Sequence, residues 1–281
     1  MSKSSPFRSK NIRIRSAGIT DTGQRRDNNE DSILVDNAHS LFIVADGMGG
    51  HNAGEVASNI AVEMTSQFLI AGLHIEGQAE DAFSTTEPLE ELMDKSIQLA
   101  NRKILEEAGN NEDQSGMGTT IVSMLICKGW FVIGNVGDSR CYRFRDGQIS
   151  QISKDHSWIE GMVAKGSIKK EHAKRHPQRG LLLQAMGNRE IEPTFITGCP
   201  IVGDIFVLCS DGLTEVVSNN TIGFVLNQDG SPLKTAEKLI QLANEKGGPD
   251  NISVIVVKIL PPRESKATIS ASNMSPTAHK S

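Results

Sequence analysis

Residues 41–58, LFIVADGMGGHNAGEVAS, constrain this chain more than any other stretch. An apolar run over 41–45 ends abruptly in Asp46, and four glycines, Gly47, Gly49, Gly50 and Gly54, fall within the next eight residues. Ala57, Ile60, Ala61, Met64 and Phe68 then recur at helical spacing, which predicts a helix with one apolar face. A buried strand does not end in a bare carboxylate without compensation, because burying that charge is costly. Glycines beside it let the backbone approach closely, so that carbonyls and carboxylates can aim at one point. A hard cation accounts for both features. Taken alone, the motif is better read as a helix cap followed by a plain turn, and the rest of the chain changes that balance.

The remainder of the chain repeats the theme. NIRIRSAGIT (11–20) alternates as a strand, and the polar segment DTGQRRDNNEDS leads into SILVD, a second strand. Pairing of SILVD with LFIVAD across the DNAHS turn makes the two antiparallel, so the entry of the first lies beside the exit of the second. Glu30 and Asp31 therefore come to the same end of the sheet as Asp46. A second helix is predicted over 88–108, with Leu89, Leu92, Met93, Ile97, Ala100 and Ile104 as its stripe. SGMGTTIVSMLIC, WFVIGNVGDSRCYRF and QISQIS read as a meander with turns at 128–129 and 146–147. Asp138 follows an apolar strand there, but the next strand resumes almost at once, which favours a structural role. DIFVLCSDG brings Asp211 and Gly212 after another apolar strand. A third helix is predicted over 232–245, and GGPDNISVIVVKI places Asp250 and Asn251 directly before the last strand.

Composition narrows the function classes. The 281 residues suit one large domain with a substantial core, and the net charge of −5 with 4% aromatic residues gives no platform for nucleic acid. No apolar run reaches the length expected of a membrane span, and the basic start lacks the apolar core of a secretory signal. Residues 1–11 are expected to be a flexible arm, 12–260 a single domain, and 261–281, rich in Ser and Pro, a disordered tail. Cys127, Cys141, Cys199 and Cys209 form no C-x-x-C pair and read as reduced cysteines of a cytoplasmic protein. A monomer is expected. Residues 156–187 are basic, with two short helical patterns separated by KGS, and read as a flap over one face that meets anionic partners. Its three histidines do not carry zinc spacing.

Asp46, Asp211 and Asp250 stand at strand ends beside Gly or Asn, and Glu30 and Asp31 stand at another. Carboxylates gathered in this way repel one another unless cations sit between them. All-oxygen ligands select Mg2+ or Mn2+ over zinc, and two such ions activate water and clamp a phosphoryl group. Arg26 nearby suits bidentate phosphate binding. The residue types alone thus point to metal-assisted phosphoester hydrolysis.

The ordered set RDNNED, VADGMGGH, GMGTT, GNVGDSR, HPQRG, LCSDG and GGPDNIS resembles the PP2C-type (PPM) metal-dependent serine/threonine protein phosphatases in their bacterial form, over about residues 12–260. That resemblance implies an α+β fold, a β-sandwich of two antiparallel sheets flanked by helices in α-β-β-α layers, with a two-metal site between the sheets at one end. It implies that Asp46 bridges both ions, that the Gly47 carbonyl binds one, and that Asp211 and Asp250 hold one. Asp31, ahead of Glu30, serves the other directly or through water, and Arg26 binds phosphate. Asp113, just before GMGTT, is matched to an acidic residue that helps hold a third, weaker ion. The implied substrates are phosphorylated proteins, the partners of serine/threonine kinases in signal transduction. The implied reaction is attack by a metal-bridged hydroxide without a phospho-enzyme.

One position departs from the family pattern. Animal members carry histidine after the Asp-Gly pair, whereas Met48 stands here and cannot donate a proton; His51 is a candidate only by proximity. A pseudo-phosphatase that binds phosphorylated partners would be favoured by loss of a metal aspartate, and none is lost. A two-metal phosphodiesterase would be favoured by a basic stripe, and the net charge opposes it. The chain has no Cys-x5-Arg loop, which argues against the covalent tyrosine phosphatase route.

Overall fold

The structure is a computed structural model that describes residues 12–50, 53–76, 83–173 and 176–262. The expected arm over 1–11 and nearly all of the expected tail lie outside the described residues. Eleven strands and seven helices follow one another in the described chain. The first sheet joins β1 (Arg13–Asp21), β7 (Arg140–Arg145), β8 (Gln148–Gln151), β10 (Ile205–Cys209) and β11 (Ile252–Leu260) in the order β1-β11-β10-β7-β8. The second joins β2 (Asp31–Asp36), β3 (Leu41–Met48), β5 (Ile121–Cys127), β6 (Trp130–Val136) and β9 (Thr194–Gly198) in the order β2-β3-β5-β6-β9, with the short β4 (Gly118–Thr119) beside β3. All pairings are antiparallel.

Helices α1 (Ala53–Glu76) and α2 (Glu87–Asn110) cover the second sheet, and α5 (Asp211–Thr214), α6 (Asn219–Leu226) and α7 (Pro232–Glu245) cover the first. Two further helices, α3 (Trp158–Ala164) and α4 (Lys170–Ala173), lie in the flap on either side of Gly166, whose φ is 72°. Three cores result. One fills the space between the sheets, with Phe42, Val44, Met124, Phe206, Leu208 and Ile255, and one lies under each helical layer. The chain is thus an α-β-β-α sandwich, the α+β architecture expected.

The α2 stripe is buried at every position named above. Helix α1 is turned from its expected face. Its fully buried positions are Ala57, Ala61 and Leu69, with Ser58, Thr65 and Ser66 beside them, while Ile60 and Met64 sit at the margin and Phe68 is half-buried. Small residues win this face because the backbones approach closely: Ser32 Oγ lies 3.0 Å from Ser58 Oγ and donates to Asn59 Oδ1 at 2.7 Å. A Cβ on Gly72 would come within 2.2 Å of Leu92 Cδ1. Over Ala53–Ile75 this helix is long and apolar enough to cross a membrane by length and composition, contrary to the expectation that no run would be. Here it packs across β3 and α2.

The expected meander is also corrected. β6 and β7 belong to different sheets, and the chain crosses between them at residues 137–139. Gly137, at φ 98°, makes the turn. Neither β9 nor α6 carries a pattern strong enough to have been read in advance.

Candidate active site

The β2–β3 hairpin sets Asp31 directly opposite Asp46. Asp31 is buried; its Oδ2 accepts from Ser210 Oγ at 2.7 Å, and its Oδ1 has no partner in the protein. Asp46 is fixed through its backbone. Its N–H donates to Thr120 Oγ1 at 3.1 Å, and its carbonyl accepts from Thr119 Oγ1 and Thr120 N, both at 2.9 Å. Gly47 follows where no side chain fits: a Cβ would lie 2.2 Å from Gly54 O and 2.5 Å from Glu30 O. Its N–H donates to Glu30 O at 3.1 Å, which locks the acidic loop to the end of β3.

The first sheet supplies the opposite wall. Asp211 opens α5 directly after β10, and Asp250 lies just before β11. Asn251 clamps the two walls together. Its Oδ1 accepts from Glu30 N at 2.8 Å, and its Nδ2 donates to Thr22 O and Asn28 O at 3.0 and 2.9 Å. Arg26 stands at the lip, half exposed, and its Nη2 donates to Asp250 Oδ2 at 2.7 Å. The other oxygen of Asp250 accepts from Asn251 N at 2.8 Å.

These groups border a cleft of about 520 Å³ lined by Arg26, Glu30, Asp46, Gly47, Asp138, Asp211 and Asp250, with Met48 and the flap's Leu181 and Leu182 on its walls. Burial, then mutual repulsion, lifts the acids above the usual carboxylate range. Asp31 and Asp138 are pushed up to about 7 and Asp211 to about 6. Asp46 rises well above its ordinary value through burial and then through Asp31 and Asp211, and Glu30 is raised by its burial. A protein does not assemble this much negative charge without something to neutralise it. Among the described residues no three of these groups close into a metal cage; they line an open cleft.

Asp113 does not belong to this group. It is exposed in a 3-10 turn, Glu112–Gln114, and borders a separate cavity with Gly50, Ala53, Val56 and Asn111. Asp138 lines the cleft instead, at the point where the chain passes from one sheet to the other. Its signature, an apolar strand ending in Asp, is the one that marked Asp46 and Asp211. The strand that resumes after it, the basis for expecting a structural role, lies in the other sheet. His51 lies outside the described residues.

A sequence model of the family described as protein phosphatase 2C matches residues 21–246. The chain belongs to this family. It is 38% identical over 247 residues to the Mycobacterium tuberculosis serine/threonine protein phosphatase PstP, a match that spans 88% of this chain and 45% of that protein. It is also 38% identical over 245 residues to the serine/threonine phosphatase Stp of Listeria welshimeri, covering 85% of this chain and 93% of the relative. The chain thus spans less than half of the mycobacterial protein and nearly all of the Listeria one. The PstP crystal structure superposes with a TM-score of 0.76 at 36% identity, over 89% of this chain and 99% of that one. A structure of the PstP catalytic domain in complex with two manganese ions gives a TM-score of 0.75 at 35% identity, with the same coverage.

This family member's donor set fits divalent ions of that kind. Its acceptors are five carboxylates with the Thr120 hydroxyl and the Gln184 and Asn188 amides, without thiolate or imidazole among the described residues, and oxygen donors are the chemistry of Mg2+ and Mn2+ sites. The unpartnered Oδ1 of Asp31 is a further feature that a bound cation or its water would satisfy.

Proposed function

We propose that this chain is a metal-dependent phosphatase that hydrolyses phosphoserine and phosphothreonine in proteins. The observation that carries the reading is the convergence of Asp46, Asp138, Asp211 and Asp250, drawn from both sheets and their crossover, on one cleft with Arg26 at its lip. Asp46, the Gly47 carbonyl, Asp211 and Asp250 would hold two ions, Mn2+ or Mg2+, with Asp31 behind Asp46 and Glu30 at the wall; Asp138 would serve a third. Such ions lower the pKa of water and polarise a phosphoryl group. Arg26 orients the phosphate through its planar fork.

Direct transfer to water suits the lining, which contains no cysteine, serine or histidine among the described residues. Its one hydroxyl, on Thr120, lies 2.7 Å from Ser139 Oγ and accepts from Asp46 N. Met48 lines the cleft and offers no proton to a leaving group. The four free cysteines suit a reducing compartment, so a cytoplasmic setting is part of this reading.

The test compares p-nitrophenyl phosphate, a phosphothreonine peptide and a bis-ester, each with Mn2+ and with EDTA. Turnover of the two monoesters that requires metal is expected. Undiminished turnover in chelator would sink the metal reading, preference for the bis-ester would make the chain a phosphodiesterase, and peptide binding without turnover would make it a phospho-binding regulator.

A further inference from the structure

Asp138 stands between two braces. On one side Ser139 Oγ lies 2.7 Å from Thr120 Oγ1, the same hydroxyl that accepts from Asp46 N. On the other, Gly137 is held by His156, which is only 7% exposed. The His156 backbone N–H donates to Gly137 O at 2.9 Å, and its ring Nδ1 accepts from Gly137 N at 3.4 Å. There is no slack in this turn, since a Cβ on Gly137 would come within 2.6 Å of the Thr120 side chain.

The partners dictate the tautomer. A peptide N–H can only donate, so Nδ1 must present its lone pair. The ring proton then lies on Nε2, which is 3.2 Å from Thr194 Oγ1 at the start of β9 and donates to it. Burial, with Lys154 alongside it and Asp155 opposing, keeps the imidazole below its ordinary pKa. The same residue reaches the flap. Its carbonyl accepts from Leu183 N at 2.7 Å, and two residues on, Trp158 N donates to Leu181 O at 2.8 Å. Leu181 and Leu182 wall the cleft into which Asp138 points.

We propose that His156, as the neutral Nε2–H tautomer, is a positioning residue that holds the Asp138 turn in the cleft and ties it to the flap wall. Its kinetic consequence rests on the phosphatase reading; its structural consequence does not.

Asparagine and glutamine separate the two ring nitrogens. In His156→Asn, Oδ1 takes the place of Nδ1 and keeps the bond from Gly137 N, while the Thr194 bond is lost. In His156→Gln, the amide reaches Thr194 and the Gly137 bond is lost. Amide hydrogen exchange at residues 137–139 of the full chain, with and without Mn2+, should therefore stay within about two-fold of the parent for Asn. It should accelerate about ten-fold for Gln, the scale of one buried hydrogen bond. The kcat for p-nitrophenyl phosphate should fall in Gln and be rescued in Asn. Thr194→Val removes the acceptor of Nε2–H while Gly137 N–H still fixes the tautomer, and should leave Gly137 exchange within about two-fold of the parent. Equal exchange in the Asn and Gln variants would overturn the brace. If Gln does not fold, imidazole nitrogen NMR shifts of the parent that place the ring proton on Nδ1 would do the same. Absence of phosphatase turnover in the parent would overturn the phosphatase reading instead, and the exchange comparison would still decide the role of His156.

Discussion

The guanidinium of Arg26 donates to Asp250 Oδ2 at 2.7 Å, joining the loop before β2 to the loop before β11, 224 positions away. The contact uses Nη2 and leaves Arg26 half exposed at the lip of the cleft. An exposed pair of this kind adds little stability, so its value lies in placing the fork where a phosphate arrives. Arg26→Ala is expected to lower kcat/KM for p-nitrophenyl phosphate by about ten- to a hundred-fold, the loss of one charge-assisted contact, mainly through KM. The inhibition constant for inorganic phosphate should weaken in step. Unchanged values for both would remove Arg26 from the phosphate site.

Asp46 and Asp211 are both buried, and each carries a charge that repels the other when ionised. Asp211→Asn should therefore abolish most turnover yet raise the Tm of the chelated protein near neutral pH. The sign follows from linkage. Asp211 is raised from 3.8 to about 6 in the fold. Its stabilising contribution is complete below the unfolded value and is lost as pH rises through the folded one. The Tm advantage of the Asn variant in EDTA should thus grow between about pH 4 and 7, and Mn2+ should favour the parent. A variant with parental kcat at saturating metal would refute the ligand assignment.

Asp138 and Asp113 make a matched pair of tests. Asp138 lines the cleft, while Asp113 borders another cavity. Asp138→Asn should reduce turnover and Mn2+ affinity, measured by calorimetry as well as by rate. Asp113→Asn should leave both within about two-fold, as expected of a surface change remote from the reacting groups. The reverse result would restore the third-ion role to Asp113.

The basic flap should govern protein substrates more than small ones. Lys165 and Lys169 are exposed, and Arg179 makes only a loose 3.5 Å contact with Glu215. Lys174 and Arg175 lie outside the described residues. Neutralising Lys169, Lys170 and Lys174 together should lower kcat/KM for an acidic phosphopeptide and flatten its salt dependence, because screening weakens steering. Hydrolysis of p-nitrophenyl phosphate should change much less. Equal loss on both substrates would indicate a damaged site.

What was legible in the sequence was local. The DNAHS turn and two alternating runs sufficed to set Asp31 opposite Asp46, because a short hairpin leaves its strands one register that buries the apolar set. The α2 stripe and the bounds of α7 were likewise written in period and capping. Glu30, Asp46, Gly47, Asp211 and Asp250 reach one cleft as their motifs implied. Tertiary structure alone decided which sheet each strand joined. β6 and β7 are consecutive and look like a hairpin, yet they face opposite layers, because sheet membership depends on which face distant strands and helices bury. That choice carried Asp138 into the cleft. The rotation of α1 has the same origin: Ser58, Gly72 and their neighbours permit a backbone approach that no single-helix pattern records. His156 is the extreme case. Its role is set by Gly137, Thr194 and Leu183, three contacts that exist only once both sheets and the flap have met.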